Sequence, residues 1–193
     1  MIKAIIFDFF GVFTTDTWKV FCGNLPPQAD IERARELNRM YDAKLIAHTR
    51  FVKEVIEATG ASVEEIEAAQ LGGIVIDQNL IAYIKELKKK YKIAILSNVG
   101  TNQIRDNLLS EEEQKLIDVF VFSYEVGVVK PDPKIYQTAT EKLGLESHQC
   151  VFTDDGQHNV DAAIALGMKG ILYQDFRQFK QDLNKILAAD SNN

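Results

Sequence analysis

Five polar side chains stand where short apolar runs of the sequence end, and their types suit phosphoryl chemistry. Asp8, Ser97 and the pair Asp154 and Asp155 each come directly after such a run, and Lys130 lies a short loop beyond another. If these runs are parallel strands, their carboxyl ends meet at one edge of the sheet, where open α/β sheets bind ligands. We therefore expect the five side chains to form one site.

The chemistry of this set follows from its charges. Three carboxylates held close together repel one another and raise each other's pKa. A divalent cation removes this penalty, and a ligand set made only of oxygen atoms favours Mg²⁺ over zinc. A carboxylate can then attack a phosphate ester in line and form an aspartyl-phosphate. The Lys130 ammonium and the Ser97 hydroxyl would hold the equatorial phosphoryl oxygens in the transition state.

The elements that position these residues alternate between short apolar runs and amphipathic stretches. This pattern is typical of a parallel α/β sheet whose strands are buried on both faces. The predicted strands are Ile2–Phe7, Ile93–Leu96, Val119–Ser123, Cys150–Thr153 and Gly170–Tyr173. The predicted helices are Gln78–Lys90, Thr101–Leu109, Pro133–Leu143, Asn159–Leu166 and Phe176–Leu187. We expect a three-layer, Rossmann-like α/β sandwich with a parallel sheet.

The segment 14–73 interrupts this alternation, because it has helical periodicity and no strand signal. Two apolar helical faces, within 31–45 and 51–56, are followed by a capping-box pattern at Ser62–Glu65 that opens a third helix. Gly72 and Gly73 then end the insertion. The predicted domains are a small α-helical cap, residues 14–73, and an α/β core, residues 1–13 and 74–193.

The composition excludes several classes of protein. The net charge of −6 argues against a nucleic-acid partner, for which clustered Lys and Arg residues are expected. No apolar run reaches the length of a membrane span. The two cysteines, Cys22 and Cys150, lie far apart and lack the spacing of a zinc site. We predict a cytoplasmic protein, monomeric or homodimeric, that binds neither nucleic acid nor membranes.

Four motifs, in their order along the chain, resemble those of the haloacid dehalogenase-like hydrolase superfamily. They are an apolar strand ending in Asp8 with Gly11 behind it, a strand ending in Ser97 and Asn98, Lys130 after a short loop, and a strand followed by Asp154 and Asp155. One such motif is a weak signal, but four in this order at predicted strand ends are specific. The resemblance covers essentially the whole chain, including the helical insertion after the first strand.

The resemblance implies a Mg²⁺ site and a covalent mechanism. It implies that Asp8 is both the nucleophile and a metal ligand. The other implied ligands are Asp154, Asp155 (directly or through water) and the backbone carbonyl of Phe10.

The resemblance also implies the phosphate-binding residues and the class of substrate. Ser97, Asn98 and Lys130 would bind the phosphoryl group, and Ser97 and Lys130 would take part in catalysis. The expected substrate is a small phosphorylated metabolite, selected by residues of the cap.

Phe10 departs from the pattern of the family's phosphatases, which have a second Asp two residues after the nucleophile. That Asp protonates the leaving alcohol and later activates water, and Phe10 can do neither. General acid–base catalysis contributes typically about 10²–10⁴-fold to a rate. We therefore expect metal binding to be intact and turnover to be slow.

Three functions are compatible with Phe10. The first is a slow or specialised phosphohydrolase. The second is a 2-haloacid dehalogenase-like enzyme, because halide leaves without a proton; that branch of the family uses no metal, lacks the paired acids and receives halide on a cap Arg. The third is a non-catalytic module that binds metal or phosphate. The Arg residues available in the cap are Arg33, Arg35, Arg39 and Arg50.

Two further residues lie near the expected site. Asp16, where the chain leaves the core for the cap, is a hypothetical replacement for the missing acid, although surface turn chemistry explains it as well. His158 follows the paired acids and is an alternative contact for substrate or water, or a surface residue at the start of a helix.

Overall fold

The computed structural model describes residues 1–71 and 74–190. At its centre is a sheet of five parallel strands in the order β3-β2-β1-β4-β5. The strands are β1 (Ala4–Phe7), β2 (Lys92–Ser97), β3 (Val119–Phe122), β4 (Cys150–Asp154) and β5 (Lys169–Leu172). β1 pairs with β2 on one side and with β4 on the other, so the residues that follow these three strands reach the same edge of the sheet. The predicted parallel sheet is confirmed.

Helices connect the strands and form the other layers. The α-helices of the described residues are α1 (Thr17–Asn24), α2 (Ile31–Asp42), α3 (His48–Thr59), α4 (Val63–Leu71), α5 (Gln78–Leu87), α6 (Glu111–Gln114), α7 (Ser123–Val126), α8 (Pro133–Leu143), α9 (Gln157–Ala165) and α10 (Phe176–Asp190). A π-helical turn at Ile104–Leu108 and a 3₁₀ turn at Ser147–Gln149 complete the set. None of these helices is long and apolar enough to cross a membrane.

Both faces of the sheet are covered, because successive apolar residues of a strand point to opposite sides. Phe7 and Ile95 belong to a hydrophobic cluster with side chains of α5 and α10. Ile6 and Leu96 belong to a second cluster with side chains of α8 and α9. The sheet and its two helical layers form the three-layer α/β sandwich that the sequence predicts.

Helices α1 to α4, called the insert below, have a hydrophobic cluster of their own. Leu37, Phe51 and Ile66 are fully buried in it. The chain leaves and rejoins the rest of the fold at one place, where the Asp77 N–H donates to the Phe13 carbonyl at 2.8 Å. The apolar packing of the insert is therefore distinct from that of the two faces of the sheet.

Two helix predictions need correction. Of the predicted helix Thr101–Leu109, only the π-helical turn Ile104–Leu108 forms, because Ser110 starts a new helix with a capping box to Glu113. Leu45 does not belong to the helical face of α2, since Lys44 takes a left-handed φ of 58° and the helix ends before it. Leu45 is consequently 66% exposed.

The insert also differs in detail from its prediction. The capping box at Ser62 and Glu65 is present, with Glu65 N–H donating to Ser62 Oγ at 3.2 Å and Ser62 N–H donating to Glu65 Oε2 at 2.7 Å. It opens the fourth helix rather than the third, because α1 gave no clear periodic signal in its eight residues. The predicted end of the insertion at Gly72 and Gly73 lies outside the described residues.

Candidate active site

The parallel register brings the predicted residues together at one edge of the sheet. Asp8 follows β1, and its N–H donates to the Thr153 carbonyl on β4 at 2.9 Å. Ser97 is the last residue of β2, and Asp154 is the last residue of β4. The carboxylates of Asp8 and Asp154 thus reach the same place from neighbouring strands, with Ser97 on the strand at the other side of β1.

Lys130 joins the two carboxylates. Its Nζ lies 2.6 Å from Asp8 Oδ1 and 2.6 Å from Asp154 Oδ2, and its side chain is completely buried. Burial opposes a charged ammonium, but the two carboxylates outweigh it and raise the pKa of Lys130. Lys130 is therefore a buried cation shared between two strand ends, and these two carboxylates balance its charge.

The two carboxylates have different electrostatic environments. Burial raises the pKa of Asp8 well above its usual range, despite the ammonium of Lys130. Burial also acts on Asp154, but Lys130 and hydrogen bonds from Asn159 Nδ2 (2.9 Å) and the Gly156 N–H (2.8 Å) outweigh it and hold the pKa of Asp154 below its usual value. Asp154 is the more firmly ionised member of the pair.

Asp155 completes a group of three carboxylates. One ligand atom from each of Asp8, Asp154 and Asp155 can be chosen so that all three lie within 4.8 Å of one another. Gly11 permits this approach, because a Cβ at that position would stand 2.5 Å from Asp155 Cγ, and its φ of +88° also favours glycine. In the structure, Asp155 Oδ2 accepts a hydrogen bond from Lys19 Nζ of the insert at 2.8 Å.

Asn98 holds the backbone of Lys130 in place. Its Oδ1 accepts from the Lys130 N–H at 2.8 Å, and its Nδ2 donates to the Lys130 carbonyl at 3.3 Å. Ser97 Oγ is buried and has no hydrogen-bond partner among the described residues. A buried hydroxyl without a partner is unusual and costly, and here it stands at a strand end beside the ionic cluster.

A cavity of about 380 Å³ opens above these residues. Asp8, Lys130 and Asp155 contribute to its wall, together with Asn98 and the half-buried Phe10. The ring of Phe10 packs edge-on against Phe9, with centroids 5.2 Å apart. Phe10 therefore forms part of the cavity wall as an apolar side chain.

Much of the remaining wall of the cavity comes from the insert and from Asp16 directly before it, and the sequence identified little of this part. Asp16, Arg39 and Asp42 are among its charged residues. Asp16 caps α1 by accepting from the Lys19 N–H at 2.9 Å, and burial raises the pKa of Asp16. Asp42 was not singled out from the sequence, because an acidic residue at the end of an amphipathic helix usually faces water.

The cap arginines separate into two pairs. Arg35 and Arg39 line the cavity, whereas Arg33 and Arg50 form ion pairs with Glu54 on another side of the insert.

Of the residues after the paired acids, two have side chains near the cluster. His158 lines the cavity as an exposed side chain, and Asn159 bonds Asp154 rather than capping α9. Asp161 instead accepts a hydrogen bond from Gln157 at 2.7 Å and is exposed.

The sequence of the chain matches a family model over most of its length. The model is that of the haloacid dehalogenase-like hydrolases, and it matches residues 2–167. The chain belongs to this family. The resemblance that the four motifs indicated is thereby confirmed, and the chain is a hydrolase of the haloacid dehalogenase-like type.

Curated relatives include a phosphatase and a longer plant protein. A D-ribitol-5-phosphate phosphatase of Bacteroides thetaiotaomicron is 26% identical over 207 residues, covering 98% of this chain and 100% of its own length. A haloacid dehalogenase-like hydrolase domain-containing protein of Arabidopsis thaliana is 28% identical over 168 residues, covering 85% of this chain. The match spans only 48%, about half, of that plant protein.

Solved structures with the same fold include an enzyme bound to magnesium and phosphate and a 2-haloacid dehalogenase. A haloacid dehalogenase-family enzyme from Bacteroides thetaiotaomicron, solved with magnesium and inorganic phosphate, has a TM-score of 0.65 at 22% identity, covering 91% of this chain and 98% of its own. A 2-haloacid dehalogenase from Pseudomonas syringae has a TM-score of 0.63 at 17% identity, covering 90% and 86%. Both enzymes therefore share the fold, and the fold by itself does not decide which reaction is catalysed.

Proposed function

We propose that this hydrolase is a Mg²⁺-dependent phosphohydrolase of small phosphorylated metabolites, with Asp8 as the nucleophile. The observation that carries the proposal is the cluster of Asp8, Asp154 and Asp155, with the buried ammonium of Lys130 bridging the first two. A metal-independent dehalogenase does not need three acids at one strand edge. The phosphatase among the relatives that match the whole chain supports the same reaction class.

The donor set fits a Mg²⁺ ion. Oxygen ligands around octahedral Mg²⁺, at about 2.1 Å from the ion, lie roughly 3–4 Å from one another. The three carboxylates each offer one oxygen within 4.8 Å of the others, which is close to this spacing, and the backbone carbonyl of Phe10 is the proposed fourth ligand. When bound, the ion would supply positive charge that favours the ionised form of Asp8 and neutralises phosphoryl oxygens.

The side chains around the ion have separate proposed roles. Asp8 Oδ1 is engaged by the Phe9 N–H at 2.6 Å and by Lys130, which fixes the carboxylate and leaves Oδ2 for attack on phosphorus. Ser97 Oγ, buried without a partner, would donate to a phosphoryl oxygen together with Lys130 Nζ. Asn98 would act mainly by positioning Lys130, through its two bonds to the backbone of that residue.

The insert is the proposed cap, residues 14–73, and it would select the substrate. Its residues form much of the cavity wall, and the Lys19–Asp155 ion pair ties it to the site. Closure of such a lid excludes water from the reacting groups. Both cysteines are free and buried, which agrees with the cytoplasmic location that we propose.

Phe10 determines how fast the reaction proceeds. Without a carboxyl at position 10, the leaving alcohol must take its proton from water or from another side chain. We expect slow turnover of alkyl esters if water is the donor, and unimpaired attack on substrates with good leaving groups in either case.

Phosphate release from p-nitrophenyl phosphate and acetyl phosphate tests this function. We expect release that requires Mg²⁺ and stops when the metal is chelated. Metal-independent chloride release from 2-chloropropionate would instead identify a dehalogenase, a function that Arg35 and Arg39 in the cavity wall make worth testing. Binding of Mg²⁺ and phosphate without any turnover would identify a non-catalytic binding module.

A further inference from the structure

Asp42 is a buried acid that the proposed reaction does not yet use. It is the last residue of α2, is 8% exposed, and lines the same cavity as Asp8 and Phe10. Asn38 Nδ2 donates to Asp42 Oδ2 at 2.8 Å, and Oδ1 accepts no hydrogen bond from the described residues. Asp42 therefore lines the cavity with one carboxyl oxygen held by the insert and the other without a hydrogen bond from the described residues.

The backbone of Asp42 is fixed to the core of the fold. Its carbonyl accepts from Ser123 Oγ at 2.7 Å, and Ser123 itself is fully buried at the start of α7. Ser123 Oγ also accepts from the Val99 N–H at 2.8 Å, in the loop that follows β2. The end of α2 is thus tied to a loop next to the catalytic strand ends, and the position of the acid is set by the docked insert.

The surroundings of Asp42 favour the protonated carboxyl. Burial, and then the negative charge of Asp16, raise the pKa of Asp42 to about 8, against smaller lowering effects of the Asn38 bond and the Lys130 ammonium. Tyr41 is the neighbouring titratable group on α2 itself. Most molecules would carry the proton at neutral pH, and the carboxyl would lose it in a mildly alkaline solution.

Asp16 is less suited to be the donor. Burial raises the pKa of Asp16 as well, but Asp16 accepts the Lys19 N–H as the N-cap of α1, and the positive end of a helix favours the ionised carboxylate. Two acids on one cavity wall with different environments divide into one that keeps a proton and one that stays charged. Here Asp42 is the acid and Asp16 the charged neighbour.

We propose that Asp42 of the insert protonates the leaving group in place of the acid that is missing at position 10. This role rests on the proposed phosphohydrolase function and extends it. As Asp8 Oδ2 bonds to phosphorus, the phosphorus–oxygen bond to the alcohol breaks, and that oxygen keeps the bonding electrons and takes the Asp42 proton. The Asp42 carboxylate then accepts a proton from the water that attacks the aspartyl-phosphate, which releases phosphate and restores both groups.

The test compares two leaving groups in Asp42→Asn, which keeps the size and the hydrogen-bonding capacity of the side chain. Glycerol phosphate has an alkoxide leaving group that needs a proton, whereas the nitrophenolate of p-nitrophenyl phosphate leaves without one. We compare kcat/KM, because it reports formation of the aspartyl-phosphate and not its later hydrolysis, which is common to both substrates. We expect kcat/KM for glycerol phosphate to fall about 100-fold or more, and kcat/KM for p-nitrophenyl phosphate to change less than about threefold. In the wild type, kcat/KM for glycerol phosphate should decline at alkaline pH, and this decline should disappear in the variant.

Glu36→Gln is the matched control, because it removes an exposed carboxylate from the same helix, where Glu36 pairs with Arg33. Glu36→Gln should leave the turnover of both substrates unchanged. An equal loss of kcat/KM on both substrates in Asp42→Asn would overturn the proposal in favour of a structural role. Unchanged turnover of glycerol phosphate would overturn it as well.

Wild-type kinetics provide a test that does not depend on the folding of a variant. Across a series of phosphate esters with increasingly basic leaving groups, kcat/KM should change little if Asp42 supplies the proton. A steep fall overturns the role of Asp42 while leaving the phosphohydrolase function intact. Absence of Mg²⁺-dependent release even from acetyl phosphate overturns both, so the two failures are distinguishable.

Discussion

The strand edge of the core and the wall of the insert hold acids in opposite ways. At the strand edge, Lys130 bridges Asp8 and Asp154 at 2.6 Å, so charge is balanced by charge. On the insert, the Asp42 carboxyl accepts a hydrogen bond from the amide of Asn38, and burial favours its neutral form. The first arrangement suits a nucleophile and metal ligands, and the second suits a proton donor.

This difference shows how one site can obtain two kinds of acid from separate parts of the chain. The carboxylates of the core are brought together by strand pairing alone. The carboxyl of Asp42 reaches the cavity only because the insert docks on the core through Ser123 and Lys19. Residues of the core would thus carry out the attack on phosphorus, and the docked insert would supply the proton for the leaving group.

Removing the nucleophile is expected to have the largest effect. Asp8→Asn should lower Mg²⁺-dependent phosphate release from every ester, with or without a good leaving group, by roughly 10⁴-fold or more, as loss of a nucleophile typically does. The control is Asp161→Asn, which removes an exposed acid bonded to Gln157. If Asp8→Asn retained activity on acetyl phosphate, the division between core and insert would be wrong.

Gly11→Ala should act on the core side of the site, at Asp155, whose carboxylate is also the partner of Lys19 on the insert. Its Cβ would stand 2.5 Å from Asp155 Cγ, so Asp155 would have to move. We expect Mg²⁺ affinity, measured by calorimetry, to fall by roughly tenfold to 100-fold, as when the support of a metal ligand is lost. Gly127→Ala is the control: its φ of +80° gives the same backbone strain, but nothing lies within 4 Å of the added Cβ. Equal losses in both variants would assign the effect to strain alone.

Phe10→Asp moves a proton donor from the insert to the core. In the Asp42→Asn background it should restore turnover of glycerol phosphate by about tenfold or more, since general acids contribute at least that much. In the wild-type background the gain should be smaller, because a donor is already present. Phe10→Leu removes the ring without adding a carboxyl, so it should not restore turnover of glycerol phosphate in the Asp42→Asn background. A large gain in the wild type would show that Asp42 does not protonate the leaving group.

Asp16→Asn should have the smallest effect. The negative charge of Asp16 helps to raise the pKa of Asp42, so its removal lowers that pKa, and the proton is lost at a lower pH. The alkaline decline of glycerol phosphate turnover should therefore move to lower pH by a few tenths of a unit. Asp30→Asn also alters a helix N-cap, that of α2, but should leave the pH profile unchanged. An unmoved profile in Asp16→Asn would show that this charge does not act on the donor.

The sequence predicts the parallel sheet well, because buried parallel strands are continuous apolar runs and their ends carry the polar residues. The helix before Ser110 was predicted poorly, since local capping overrode the helical periodicity. Asp155 was recognised from its motif, but its approach to Gly11 required coordinates. Asp42 gave no signal, because the role of a residue at a helix end depends on what the helix docks against.

The hydrophobic cluster around Leu37, Phe51 and Ile66 shares none of its buried residues with the clusters of the sheet. Substitutions in such separate groups of side chains have nearly independent effects on stability. Residues of the insert that line the cavity can therefore change during evolution while the strand edge of the core keeps its geometry. The same core for the proposed cleavage of phosphate esters could thus act on different substrates when it carries different inserts.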